Sequence, residues 1–133
     1  MISFAYTILY VVGVERSVSF YEKAFGFKRK FVSEDGTYGE LNTGNTTLAF
    51  AAHDLAHANL KEGYVESSLS EKPFGIEIAF TSEDVATAVD RAVAAGATLV
   101  EEPMQKPWGQ IVADVRDLDG FLIEICTPIL GNT

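Results

Sequence analysis

The chain lacks most of the residues that announce chemistry. Its 133 residues include a single cysteine, Cys126, so no disulfide framework holds it together. That usage suits a reducing compartment. Only two histidines occur, His53 and His57, which leaves little imidazole for metal or acid–base work. No stretch of about 18 consecutive apolar residues appears, so no membrane span is expected. Basic residues are few: Lys and Arg number 10 against 19 Asp and Glu, a net charge of −9. Nucleic-acid or anionic-membrane binding needs a basic face and is therefore not expected. A cationic ligand is compatible with this balance, as is simple solubility. The apolar start carries no Lys or Arg ahead of its run and breaks at Gly13. It reads as a strand and not as a targeting signal, and a cytoplasmic location is expected. There the Asn45-Thr46-Thr47 sequon would be silent.

What remains is a chain that is 47% hydrophobic, a composition of soluble globular proteins, at a length that suits one domain. Residues 4–12, "FAYTILYVV", are β-branched and aromatic and predict a strand. In "VERSVSFYEKAFGF", Val14, Val18, Tyr21 and Phe25 recur at helical spacing, and Gly26 closes the helix. Strands are predicted at 27–33, 37–43 and 46–53, separated by the turns "SEDG" and "TGNT". Residues 54–73 are polar, lack a sustained apolar period and end in Pro73, which predicts a linker or flexible loop. His53 and His57 have the i, i+4 spacing that chelates metal on a helix. At a strand end and in a loop they read as exposed histidines.

The order of elements then repeats. "GIEIAFTS" predicts a strand, Ser82 a helix cap with Glu83 and Asp84 in the first turn, and "VATAVDRAVAAG" a helix with Val85, Ala88, Val89, Ala92 and Val93 on one stripe. Strands follow at about 97–101, 109–116 and 121–127, with "RDLDG" as a sharp turn. Val14 aligns with Val85, Gly26 with Gly96 and Gly44 with Gly120. The chain is an internal duplication: module one over 1–53, the linker over 54–73 and module two over 74–129.

These segments carry a resemblance. "VGVERSVSFYEKAFGF", its echo "DVATAVDRAVAAGA" and the ending "PWGQIVADVRDLDGFLIEI" resemble the vicinal-oxygen-chelate superfamily of glyoxalases, bleomycin- and fosfomycin-resistance proteins and extradiol dioxygenases. The resemblance implies an α+β fold: two tandem βαβββ modules forming a curved mixed sheet around a small-molecule cleft, often completed in a homodimer. It also implies four metal-ligand positions, in the glyoxalase I pattern His, Glu, His and Glu. They fall here on Tyr6, Leu48, Glu77 and Glu124. Leucine has no donor, neutral tyrosine is a poor one, and none of the four positions holds an imidazole, so no transition metal is expected. A weakly held divalent cation at Glu77 and Glu124 stays open.

Glu124 sits in "DGFLIEICTP", among apolar strand residues, where an unpaired carboxylate is costly. Alternation puts Glu124 with Leu122 and Cys126 on one face, and Glu77 with Gly75 and Ala79 on another strand's corresponding face. Tyr6, Ile8 and Tyr10 share a face likewise. Apolar walls with a few polar groups suit an amphipathic or cationic organic ligand. The ligand-binding candidates are Tyr6, Leu48, Glu77 and Trp108, the last at a rim where the family places "PWG"; Glu40 is a further carboxylate. The expected function is small-molecule binding of the bleomycin-resistance kind. The alternative is a glyoxalase-like lyase or isomerase that uses Glu124 as catalytic acid or base for proton transfer, with or without a divalent metal; of two such neighbouring carboxylates, one is expected to hold its proton more tightly.

Overall fold

A computed structural model describes residues 1–129. The chain divides into two compact units, Met1–Ser67 and Ser68–Thr133. Each contains a four-stranded mixed sheet built in βαβββ order, so the α+β duplication read from the sequence is the architecture observed.

In the first unit, β1 (Tyr6–Val11) leads into α1 (Val14–Phe25), followed by β2 (Lys28–Val32), β3 (Tyr38–Asn42) and β4 (Thr47–Ala52). The sheet order is β1-β4-β3-β2, and β1 runs parallel to β4 because the helical crossover returns the chain to that side. α1 lays Val14, Val18 and Tyr21 onto the sheet, where they meet Val11, Leu41 and Phe50, all essentially without exposure. Burying each such side chain contributes about 1.5–3 kcal/mol. The helix comes so close that a Cβ on Gly39 would lie 2.9 Å from Val14 Cγ1. Arg29 on β2 pins the outer side of α1, reaching Glu15 at 2.6 Å and Glu22 at 2.9 Å, and holds the Glu15 carboxyl down at about 2.

Residues 54–73 are not loop throughout. α2 spans His53–Asn59 and buries Ala56. The expectation of a loop is corrected over 54–59, because at seven residues the helix is too short to show an apolar period, while 60–73 carries no helix or strand.

The second unit repeats the plan with β5 (Glu77–Thr81), α3 (Val85–Ala94), β6 (Thr98–Gln105), β7 (Ile111–Arg116) and β8 (Leu122–Cys126), in the order β5-β8-β7-β6. α3 buries Val85, Val89 and Ala92 against Val115, Ile123 and Ile125. Val93 departs from the predicted stripe and is exposed. The cap is Asp84, not Ser82: its carboxylate accepts from Thr87 N at 3.1 Å and Thr87 Oγ1 at 2.8 Å, which lowers its proton affinity. β6 continues beyond its predicted end, through Pro103, with two register shifts against β7. Its place at the sheet edge is what tolerates a residue without an N–H.

The turn before β8 is tightly built. Asp117 Oδ1 accepts from Asp119 N at 3.0 Å and Phe121 N at 2.9 Å. Arg116 donates to Gly120 O at 2.9 Å and Ser68 O at 3.0 Å. Gly120 has φ +89°, and a Cβ there would lie 2.7 Å from Arg116 Nη2 and 2.8 Å from the Ser68 carbonyl carbon, so only glycine fits.

Candidate functional site

The side of the second sheet turned away from α3 carries the chemistry. Ladder register sets it: Ala79 pairs with Glu124, and Glu124 pairs with Asp114. Ile123 and Ile125 point into the core, which leaves Leu122, Glu124 and Cys126 on the other side. Glu77 starts β5 on that same side, diagonal to Glu124 and across from Leu122. The three carboxylates of Glu77, Asp114 and Glu124 each place an oxygen within 4.8 Å of the other two.

Their electrostatics follow from that crowding. Glu77 holds its proton above the usual glutamate range, first because its carboxyl is desolvated and then because Glu124 stands beside it. Asp114 is raised for the same two reasons, burial and the charge of Glu77, with Lys106 opposing. Burial and a hydrogen bond to Glu124 push the Cys126 thiol up, which disfavours its thiolate form. Asp114 Oδ1 is buried without a hydrogen-bond partner. Among the described residues no ion pair reaches any of the three carboxylates. Such a cluster attracts a cation, or shares a proton.

The other sequence candidates fall elsewhere. Leu48 lies on the covered face of its sheet and not on the cleft-facing one expected. It pairs with Thr7, is 4% exposed, and packs on the α1 side of its sheet. The residue matching Glu124 in register is Ala49, which pairs with Ile8 and Glu40 as Glu124 pairs with Ala79 and Asp114. A one-residue slip in alignment turns a strand residue to the opposite face. Tyr6 does lie on the face away from α1, with Ile8 and Tyr10, and is 53% exposed.

Trp108 is apart from the carboxylates. It lines a hollow of about 560 Å³ with Glu83, Ile111, Thr127, Pro128 and Ile129, and its Nε1 donates to Gln110 Oε1 at 2.7 Å. Glu40 is engaged: Tyr38 donates to it at 2.7 Å and Lys30 Nζ is 3.6 Å away. Asp114 was not singled out by sequence reasoning. Its signal was the alternation in "IVADVR", which places it where Glu40 stands in the first repeat.

The family model of the Glyoxalase/Bleomycin resistance protein/Dioxygenase superfamily matches residues 3–125. The chain belongs to this superfamily. No curated protein matches it. Solved structures share its fold. A glyoxalase-related enzyme from Fulvimarina pelagi is 22% identical, with 96% of this chain and 89% of that one covered at a TM-score of 0.83. A glyoxalase/bleomycin resistance protein/dioxygenase family enzyme from Burkholderia phytofirmans PsJN is 21% identical, with 94% and 98% covered at 0.79. TioX from Micromonospora sp. ML1 is 24% identical, with 96% and 99% covered at 0.70.

The metal sites known in this superfamily can be tested against the residues present. Glu77, Asp114 and Glu124 offer oxygen only, and both histidines lie in the first unit. That donor set does not fit a metal that prefers nitrogen. It does fit a hard divalent cation such as magnesium or manganese. Among the described residues no helix is long and apolar enough to cross a membrane.

Proposed function

We propose that the chain binds a small organic cation on the carboxylate face of its second unit, without a transition metal there. The observation that carries this reading is the triad Glu77, Asp114 and Glu124, converging within 4.8 Å with no ion pair to any of them among the described residues. Burial first, and then mutual repulsion, raises Glu77 and Asp114, and a ligand ammonium relieves the repulsion. Leu122, Ala79 and Val112 on the same face supply apolar contact. In this reading the protein sequesters or carries its ligand, as a bleomycin-resistance-like protein would, and acts as a homodimer, which sedimentation reads directly. A thermal-shift screen of aromatic amines in the presence of a chelator tests it. The expected result is stabilisation that is indifferent to chelator and disappears in Glu124→Gln. Stabilisation that needs added divalent metal, or that survives Glu124→Gln and Glu77→Gln together, overturns it.

One observation favours a second reading. Carboxylates that hold protons unusually well are suited to proton transfer. In a glyoxalase-like lyase or isomerase, Glu124 would take a proton from the carbon beside a substrate carbonyl, with Glu77 and Asp114 neutralising the charge as proton holders. Alternatively, with the carboxylates ionised, a hard cation held by the three would supply polarisation of the carbonyl oxygen in place of those protons. Exchange of that carbon-bound proton into heavy water, followed by NMR with a hydroxyketone substrate, should vanish in Glu124→Gln. Unchanged exchange in that variant rules the reading out.

A further inference from the structure

The two histidines, set aside in the sequence as loop residues, sit on α2 one turn apart and face the segment that follows the helix. His57 Nε2 is 2.8 Å from Glu66 Oε2, and His53 Nδ1 is 3.8 Å from the same oxygen. All three donor atoms lie within 4.8 Å of one another. Tyr64 stacks its ring on both imidazoles, at centroid distances of 4.4 Å to His57 and 5.7 Å to His53. Its hydroxyl contacts His53 Nδ1 at 2.6 Å. His53 Nε2 is buried and makes no hydrogen bond, so the polar contacts that orient this ring are all made through Nδ1, on the side of Tyr64 and Glu66.

We propose that His53, His57 and Glu66 form a binding site for a zinc-like divalent ion, separate from the carboxylate face of the second unit. The donor chemistry selects the ion. Two imidazoles and one carboxylate suit zinc, nickel or copper, and not magnesium or calcium. Donors around one tetrahedral zinc lie about 3.3 Å apart, given bonds of about 2.0–2.1 Å. The present spacings of 2.8 and 3.8 Å bracket that value, so a small adjustment of exposed side chains closes the site. His57 and Glu66 are roughly half exposed and free to make it, while His53, 14% exposed, is the fixed point. The ion replaces Tyr64 Oη on His53 Nδ1, and the phenol keeps its contact at 3.5 Å with the His53 carbonyl oxygen. Its effect is to staple the segment carrying Tyr64 and Glu66 to α2.

Isothermal titration of the untagged full chain with zinc chloride tests this, using His57→Gln, Glu66→Gln and the double variant Glu77→Gln/Glu124→Gln. One zinc per chain is expected. Each of the first two variants should weaken it by more than about 100-fold, beyond the cost of losing an outer partner. The double variant should bind as the original chain does. Zinc should also raise the melting temperature of the original chain and not that of His57→Gln. No zinc uptake, or uptake lost in the double variant but kept in His57→Gln, overturns the assignment. Because ligand binding at the carboxylate face is scored in chelator, the two proposals fail independently.

Discussion

Tyr6, Ala49 and Glu40 in the first unit stand at the strand positions that Glu77, Glu124 and Asp114 hold in the second. The backbone plan is common and the chemistry is not. In the first unit the single acid is answered by Tyr38 and Lys30. Ala49 beside it is fully buried, and Tyr6 adds a ring. In the second, three acids meet with no ion pair among the described residues, and two are held above their usual range. One repeat uses these positions to satisfy a charge, and the other crowds three carboxylates together.

The sharpest way to break this comparison is at the neighbouring ladder position. Leu48→Ala should cost about 2–5 kcal/mol in urea unfolding and leave amine affinity unchanged, because it empties core and touches no open face. If amine affinity falls with it, the register argument is wrong. Next in size is the turn. Gly120→Ala should cost on the order of 3 kcal/mol or more, since it meets backbone at 2.8 Å as well as a left-handed φ. Gly44→Ala, with φ +110° and nothing within 4 Å, should cost only about 1–2 kcal/mol. Equal costs would mean that the second turn relaxes freely.

Smaller, but opposite in sign, are the acids themselves. Glu77→Gln should stabilise at neutral pH by roughly 0.5–2 kcal/mol, as relief of like charges does. Glu40→Gln should destabilise by about 1 kcal/mol through its contacts with Tyr38 and Lys30. The pH dependence separates them further. Glu77 and Asp114 are raised, so the folded chain keeps protons that the unfolded chain has already released above the ordinary carboxylate range. Their contribution is therefore most favourable at low pH and is lost as pH rises through the raised values. Glu77→Gln should flatten that fall, read from melting temperatures across pH 4–8 (about the span of a shifted carboxyl). Smallest of all, Trp108→Ala should change stability by less than about 0.5 kcal/mol, since the ring is 67% exposed.

Much of this was legible in the residues. Val14, Val18 and Tyr21 showed the first helix by spacing alone, and "RDLDG" showed its turn by composition. Glu124 and Glu77 were placed on the correct faces by alternation. α2 escaped because seven residues carry no period, and with it went the meaning of His53 and His57. The position matching Glu124 was assigned to Leu48 where register gives Ala49, because both lie in a run of apolar residues in which neither face is marked by a charge.

The sequence by itself determined the repeat, the helical stripes and the excess of acid, because these follow from local spacing and composition. The tertiary structure decided which acids meet. Asp114 joins Glu124 through antiparallel register, and Glu66 reaches His57 across a fold of the chain. Contacts of that kind depend on pairing between distant segments, which a one-residue slip reverses and no local pattern records.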